Sequence, residues 1–351
     1  MKDKITTILF IIYISFFSIL HIVLKDETIS ETERRKLATF PNFNLNSEYI
    51  TKLDKYLLDH FPFRNNFRSI KAKYNYNILN KLDNNDIYLK DNYIFKTNYP
   101  TNKESIDKFI NNINKFKNLT NNTYIMIVPD KNYYLKDDNF LNIDYEYIYN
   151  KIDDLNIKTI DIRNILELND YYETDTHWKQ EKLDKVVKQM SEVMDFEYKK
   201  QNYEAKTFDK FYGVYYGESA INRKPETLTY LINDNIKNAE VKYFENKELN
   251  KVYNIENLES LDAYEVYLDG ASSFIEINNK SAKTEKELVI FRDSFSSSLT
   301  PLLIDYYSKI TLIDNRYINS NEFFKLIEFK NQDIIFIYST LIINDSGSLK
   351  G

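Results

Sequence analysis

Residues Ile5 to Leu24 form a run of twenty positions without a single Asp, Glu, Lys or Arg. At about 1.5 Å per helical residue such a run reaches about 30 Å, the thickness of a bilayer's hydrocarbon core. Lipid offers no partners to backbone N–H and C=O groups, so a lone segment that crosses it satisfies them internally, as a helix. Lys2 and Lys4 precede the run, Lys25-Asp26-Glu27 follows it, and no small-x-small cleavage site lies between. The pattern predicts an uncleaved N-terminal anchor over residues 1–25, one transmembrane helix with the remaining body on the extracytoplasmic side. The later apolar runs, near Tyr124 to Val128, Leu288 to Phe291 and Ile334 to Tyr338, have the length of strands rather than of spans.

The remaining residues, about 320, suffice for one large α/β domain or two smaller ones with a proper core, and one domain carrying an insertion is the favoured reading. The chain has no cysteine, which excludes disulfides, thiol catalysis and cysteine metal sites. Its net charge is -6, with lysines and acidic residues interspersed, so no basic stripe exists to hold nucleic acid. With five glycines in all, there is neither a G-x-G-x-x-G nor a Walker loop, and neither a cofactor nor a metal is implied.

Residues 26–100 read as a linker and a broken helical arm. Ser30 to Lys36 is charged and unpatterned; Ile50, Leu53 and Leu57 recur at helical spacing up to Asp59; Pro62 interrupts; and a second periodic stretch runs from Phe67 to about Leu82. Residues 101–351 read as the α/β domain. Thr101-Asn102-Lys103-Glu104 has the form of a capping box ahead of Ile106, Phe109, Ile110, Ile113 and Phe116. Buried strands are predicted at Thr123 to Val128 and Thr159 to Ile162, and a helix from Trp178 to Met194. From about 199 to 284 the pattern turns β-rich, as in an antiparallel insertion, with Ala263 to Leu268 among its alternating segments. Strand Glu287 to Phe291, a helix from Phe295, strand Lys309 to Ile313, helix Asn321 to Phe329 and strand Asp333 to Tyr338 then imply a mostly parallel sheet.

Only three histidines occur. His21 lies in the apolar run, and His60, between Asp59 and Phe61-Pro62-Phe63, reads as packing or capping the arm. Elimination leaves His177, in Thr174-Asp175-Thr176-His177-Trp178, as the general-base candidate. In an extended segment residues two apart point the same way, so the Asp175 carboxylate can reach the His177 ring. Ser294, in Phe291-Arg292-Asp293-Ser294-Phe295, lies where a strand ends and a helix begins, beside unpaired amides suited to an oxyanion. The same residues equally suit helix capping, by Asp175 or Thr176 and by Ser294 or Ser296. Trp178 is placed to stack on a sugar ring or to wall the pocket. Arg292 is placed to assist an oxyanion or to serve structure, and Pro129-Asp130-Lys131, at a strand's carboxyl end, is placed to touch ligand but reads by default as a turn.

Asp175-Thr176-His177-Trp178 together with Arg292-Asp293-Ser294-Phe295 resembles the DHHW protein family and the related SGNH-like domains of alginate O-acetyltransferases. The likeness extends in order through Glu33 to Ala38, Asp59 to Arg64, Val128 to Lys131, Tyr267 to Gly270 and Asp314 to Tyr317. It implies an SGNH-hydrolase-like, circularly permuted three-layer α/β core with Ser294 as nucleophile, His177 as base and Asp175 as orienting acid. Trp178 and Arg292 are then substrate-binding candidates. The implied activity is O-acetylation of a cell-envelope or extracellular polysaccharide through an acyl-enzyme, with the acetyl donor passed across the membrane by an MBOAT-type acyltransferase partner. Water as acceptor would make the same triad a carbohydrate esterase, and a vestigial triad would leave a polysaccharide-binding or assembly factor. Two residues depart from the family pattern: Thr176 replaces its first histidine, and Ser296 stands where a glycine often follows the Ser-Phe pair.

Overall fold

The structure is a computed structural model and describes residues 2–350 apart from Leu45, residues 136–138 and Lys247. It divides into two compact units, Met1–Asn85 with Tyr216–Arg223, and Asp86–Tyr215 with Lys224–Gly351.

In the first unit, helix α1 (Lys2–Val23) is long and apolar enough to cross a membrane, and none of that stretch is buried. The arm follows as α2 (Ser47–Asp59) and α3 (Arg64–Asn77). The Asn46 side chain caps α2 by accepting from the Tyr49 N–H at 2.7 Å, and Phe63, at φ 60° after Pro62, turns the chain into α3. The second helix therefore ends at Asn77, short of the predicted Leu82. Residues 30–36 are no solvated linker. Arg35 holds Asp59 through two bonds at 2.5 and 2.9 Å, while Arg64 and Arg68 pair with Glu33. His60 packs as read from sequence, its Nε2 2.8 Å from the Ala38 carbonyl.

The second unit is built on a seven-stranded sheet. Its strands are β1 (Thr123–Val128), β2 (Lys158–Thr159), β3 (Glu240–Tyr243), β4 (Phe274–Asn278), β5 (Glu287–Arg292), β6 (Lys309–Ile313) and β7 (Asp333–Ser339). In the sheet they run β3-β4-β6-β5-β7-β1-β2, with β6, β5, β7, β1 and β2 parallel and β3 and β4 antiparallel at one edge. The last strand in sequence, β7, thus lies between β5 and β1. Alternate residues divide between two cores. Leu288 and Ile290 of β5 and Met126 and Val128 of β1 join one cluster with α6 (Asp184–Met194) and α7 (Phe295–Leu303). Val289 and Phe291, with Ile125 and Ile127, join the other with α4 (Lys103–Phe116) and α5 (Tyr145–Asp153). Helices on both faces of a mostly parallel sheet make the three-layer core; each fully buried aliphatic side chain contributes about 1.5–3 kcal/mol.

Several predicted elements are shorter or of another kind. Residues 86–100, grouped above with the arm, belong to the second unit, where Ile87–Lys90 and Tyr93–Lys96 form a hairpin and the Ile94 N–H donates to the Glu173 carbonyl. Asn102, not Thr101, caps α4, since the Thr101 hydroxyl is already used by the Asp144 N–H. The strand near 160 keeps only Lys158–Thr159. Helix α6 begins at Asp184 rather than Trp178, because Trp178 bridges back to Tyr171. Ala263–Val266 is a 3-10 turn closed by the Asp262 side chain, not a strand. The helix predicted at Asn321 to Phe329 is one turn, Ser320–Phe323, anchored by the buried Phe323; past it Phe324 and Leu326 are exposed while Ile327 and Phe329 pack on the core without helix. The expected antiparallel insertion is present in part as the hairpin Glu204–Phe211 and Glu226–Ile232; β3 and β4 instead extend the main sheet.

Pairing with Arg35 holds the Asp59 carboxyl down to about 2, against burial that pushes it up. A depressed carboxylate stabilises fully above its unfolded value of about 4 and loses that contribution as pH falls through about 2. Asp59→Asn is expected to cost about 1–2 kcal/mol at pH 7, with the gap to wild type closing by pH 2, in denaturant titrations of the detergent-solubilised chain.

Candidate active site

At the carboxyl end of β5, from Leu288 to Ile304, every residue is buried except Ser294. Asp293 makes that possible. Its Oδ1 accepts from the Phe295 N–H at 3.0 Å and its Oδ2 from the Ser339 N–H at 2.7 Å, while its own N–H donates to the Ile337 carbonyl at 3.1 Å. The aspartate therefore caps the first turn of α7 and joins the ends of β5 and β7. Ser294 stands at the N-cap position but makes no capping bond with its side chain, so its hydroxyl is free for another partner. Ser296 does not cap either: its hydroxyl donates to the Asp293 carbonyl.

That partner is His177, whose Nε2 lies 2.8 Å from Ser294 Oγ across 117 residues of sequence. On the other side of the ring, Nδ1 lies 2.6 Å from Asp175 Oδ1, which also accepts from the His177 N–H at 3.0 Å. A carboxylate only accepts, so Nδ1 carries the proton and the Nε2 lone pair faces the serine hydroxyl. Only 11 % of the His177 side chain and 1 % of the Asp175 side chain are exposed. Burial pushes the Asp175 carboxyl up; the positively charged form of His177, two bonds from that residue and one from the Val214 N–H outweigh it and hold the carboxyl well below the usual range. The His177 ring lies flat on Tyr264, centroids 3.9 Å apart at 7°, and the Tyr264 hydroxyl donates to Ser298 Oγ at 2.8 Å.

The segment carrying Asp175 is a tight turn, closed by the Tyr172 N–H to the His177 carbonyl and the Lys179 N–H to the Asp170 carbonyl. Neither Asp175 nor Thr176 caps a helix. Three groups grip the turn. Lys131 Nζ donates to the carbonyls of Tyr172, Glu173 and Asp175 at 3.1, 3.1 and 2.7 Å. The Glu226 carboxylate accepts from the amides of Glu173 and Thr174 and from the Thr174 hydroxyl. Gly213 and Val214 approach from the other side, the Gly213 N–H donating to Thr174 Oγ1 and the Val214 N–H to Asp175 Oδ2, each at 2.8 Å. A Cβ on Gly213 would lie 2.3 Å from the Asp175 nitrogen, so only glycine permits this approach. Burial pushes the Lys131 ammonium down to about 7, against the pull of Asp175, Glu226 and Glu173.

The structure thus brings Asp175, His177 and Ser294 together, and it seals off the two further candidates. Trp178 is wholly buried, donating to the Phe295 carbonyl and Ser298 Oγ at 3.0 and 2.9 Å, so it walls the site and offers no face to a sugar. Arg292 is likewise buried and donates to Ser297 Oγ and to the carbonyls of Gly270 and Ser272. Its guanidinium ties down a bend in which Leu268, Asp269 and Gly270 all have φ near +54 to +65°, and both of its terminal nitrogens are taken up by these bonds. Lys131, Glu226, Gly213 and Tyr264 escape sequence reading; the sole signal was the position of Lys131 at the carboxyl end of a strand. Among the described residues, no cluster of His, Asp and Glu suits a metal ion.

The chain shares its fold with a DHHW family protein from Eubacterium siraeum, at TM-score 0.64 and 20% identity over 77% of this chain and 97% of that one. It also shares its fold with Bacillus cereus PatB1 bearing a sulfonyl adduct, at TM-score 0.59 and 18% identity over 76% and 96%. The O-acetyltransferase domain of Pseudomonas putida AlgJ is a looser likeness, TM-score 0.44 at 11% identity over 74% and 92%, too loose to bear on the site. No protein-family model and no curated protein matches the chain.

Lys131→Met strands three carbonyls and is expected to cost about 2–4 kcal/mol. Between about 7 and the unfolded lysine value near 10.4 the native state binds fewer protons than the unfolded one, so wild-type stability gains with rising pH there and Lys131→Met lacks that gain. Denaturant titrations at pH 6, 8 and 10 read both effects. Gly213→Ala is expected to displace Asp175 and abolish the downfield proton resonance of the Asp175–His177 hydrogen bond.

Proposed function

We propose that this chain is a membrane-anchored O-acetyltransferase that acts on a cell-envelope or extracellular polysaccharide through an acyl-enzyme at Ser294. The observation that carries the reading is the continuous hydrogen-bonded line from Asp175 through His177 to Ser294, ending at the one residue of that junction that meets solvent.

His177 Nε2 takes the Ser294 proton as Oγ attacks the acyl carbonyl, and the imidazolium so formed is stabilised by the buried Asp175 carboxylate. The amides opening α7, that of Ser294 first, face the developing oxyanion with the positive end of the helix dipole behind them. When the donor's leaving group departs with the proton from His177, Ser294 carries the acyl group. A glycan hydroxyl then gives its proton to Nε2 and attacks the ester carbonyl, which releases the O-acyl glycan and restores the serine.

The resemblance in sequence to the DHHW family and to alginate O-acetyltransferases supports the choice of acyl group and acceptor. A sulfonyl adduct on PatB1, which has this fold, supports a reactive nucleophile in this architecture. The span of α1 supports a single-pass anchor with the body outside the cytoplasm. Acetyl-CoA is cytoplasmic and the chain has no nucleotide motif, so an MBOAT-type membrane acyltransferase is the donor's route.

Ser294→Ala and His177→Ala are each expected to lower acetyl transfer from an aryl acetate to an oligosaccharide by about three orders of magnitude or more, and Asp175→Asn by as much or less. A serine-directed sulfonyl probe should add mass to wild type and none to Ser294→Ala. Near-normal transfer by Ser294→Ala would remove the mechanism; release of acetate alone in excess oligosaccharide would make the protein an esterase; and an unlabelled wild type would make it a binding or assembly factor.

A further inference from the structure

The first unit carries an apolar surface that the proposed chemistry does not use. On α3 and its flanks Phe63, Phe67, Ile70, Tyr74 and Ile78 follow one another every three or four residues, on a single face, and each is 40–64 % exposed. The opposite face holds the buried Ala72 and Asn75. Lys71 and Lys73 flank the stripe on either side, and every charged residue of α3 is basic. Ile50, Leu57, Leu58 and Phe61 extend the exposed apolar surface along α2.

This surface is continuous with α1. Phe61 stacks on Phe17 with centroids 5.3 Å apart at 13°, and Phe67 meets the same ring at 5.9 Å. One turn further along α1, His21 Nδ1 lies 3.2 Å from the His60 carbonyl and its ring meets Tyr56 edge-on. Phe17 precedes Val23, the end of α1, by six residues, which at about 1.5 Å each places it about 9 Å inside the span. A side chain that stacks on Phe17 shares its depth. Helices that lie in a membrane interface bury their apolar face about 5–10 Å below the headgroups, with lysines on their flanks reaching back to phosphate.

We infer that the α2–α3 arm is seated in the membrane itself, Phe61 and the Phe63–Phe67–Ile70–Tyr74–Ile78 stripe embedded in the leaflet from which α1 emerges and Lys71 and Lys73 meeting anionic headgroups. The inference rests on the reading of α1 as a membrane span. Lipid is the occupant because the stripe begins beside Phe17, a residue inside that span, and α3 carries basic residues on its borders and no acidic one. The arm then holds the chain to the bilayer along a line rather than at one point.

The absence of cysteine permits a clean test. Full-length chains carrying single cysteines at Ile12→Cys, Ile70→Cys or Asn65→Cys, labelled with an environment-sensitive fluorophore, are reconstituted in vesicles of equal parts phosphatidylcholine and phosphatidylglycerol. Lipids with nitroxide on the acyl chain should lower the emission at positions 12 and 70 by about half or more, while aqueous iodide should quench only position 65. If position 12 responds to lipid but position 70 responds to iodide, or to neither quencher because a protein covers it, the anchor stands and the seated arm is wrong. If position 12 does not respond to lipid, the anchor and the arm fall together.

Discussion

The Asp293 carboxylate is the constraint on which the junction at the heart of the second unit's sheet depends. Its two oxygens close α7 onto β5 and tie β5 to the end of β7, so the strand-to-helix turn needs no help from the residue that follows. A serine at an N-cap position ordinarily spends its hydroxyl on the helix. Here the aspartate before it does that work, and Ser294 Oγ is left to accept or donate a proton 2.8 Å from His177. The central parallel strands supply the rigidity: β5 has a parallel neighbour on each side and a core on each face.

The other half of the site is held by different means. Asp175 and His177 lie in a turn, and turns are mobile unless their backbone groups find partners. Lys131 collects three carbonyls, Glu226 two amides and a hydroxyl, and Gly213 brings its backbone against the same residues from the far side. A buried ammonium and a carboxylate thus clamp opposite polarities of one peptide segment, and Tyr264 fixes the plane of the ring that the segment presents. The serine is positioned by strands and the histidine by a polar clamp.

Elements whose cause is local were legible in the sequence. The apolar runs of β1, β5 and β7 and the period of α4 follow from burial on two faces or on one, which neighbouring residues reveal. Scarce histidine and a strand-to-helix junction singled out Asp175, His177 and Ser294, but those residues suited helix capping equally, and only the family resemblance favoured their convergence. What eluded reading depends on partners far along the chain. Lys131 meets carbonyls 41 to 44 residues away, and Glu226 meets amides 52 and 53 residues away. The charged run at 30–36 looks solvated until Asp59, Arg64 and Arg68 fold back on it. The amphipathic period from Trp178 onward is real, but the bridge from Trp178 to Tyr171 outcompetes a helix at its start.

Between Leu288 and Ile304, Ser294 alone reaches the surface. An incoming molecule therefore meets a single residue of this stretch. Any selectivity at this point has to come from the surrounding segments, which can change without disturbing the packed junction below. The exposed hydroxyl and the surroundings that decide what meets it are in this way separable.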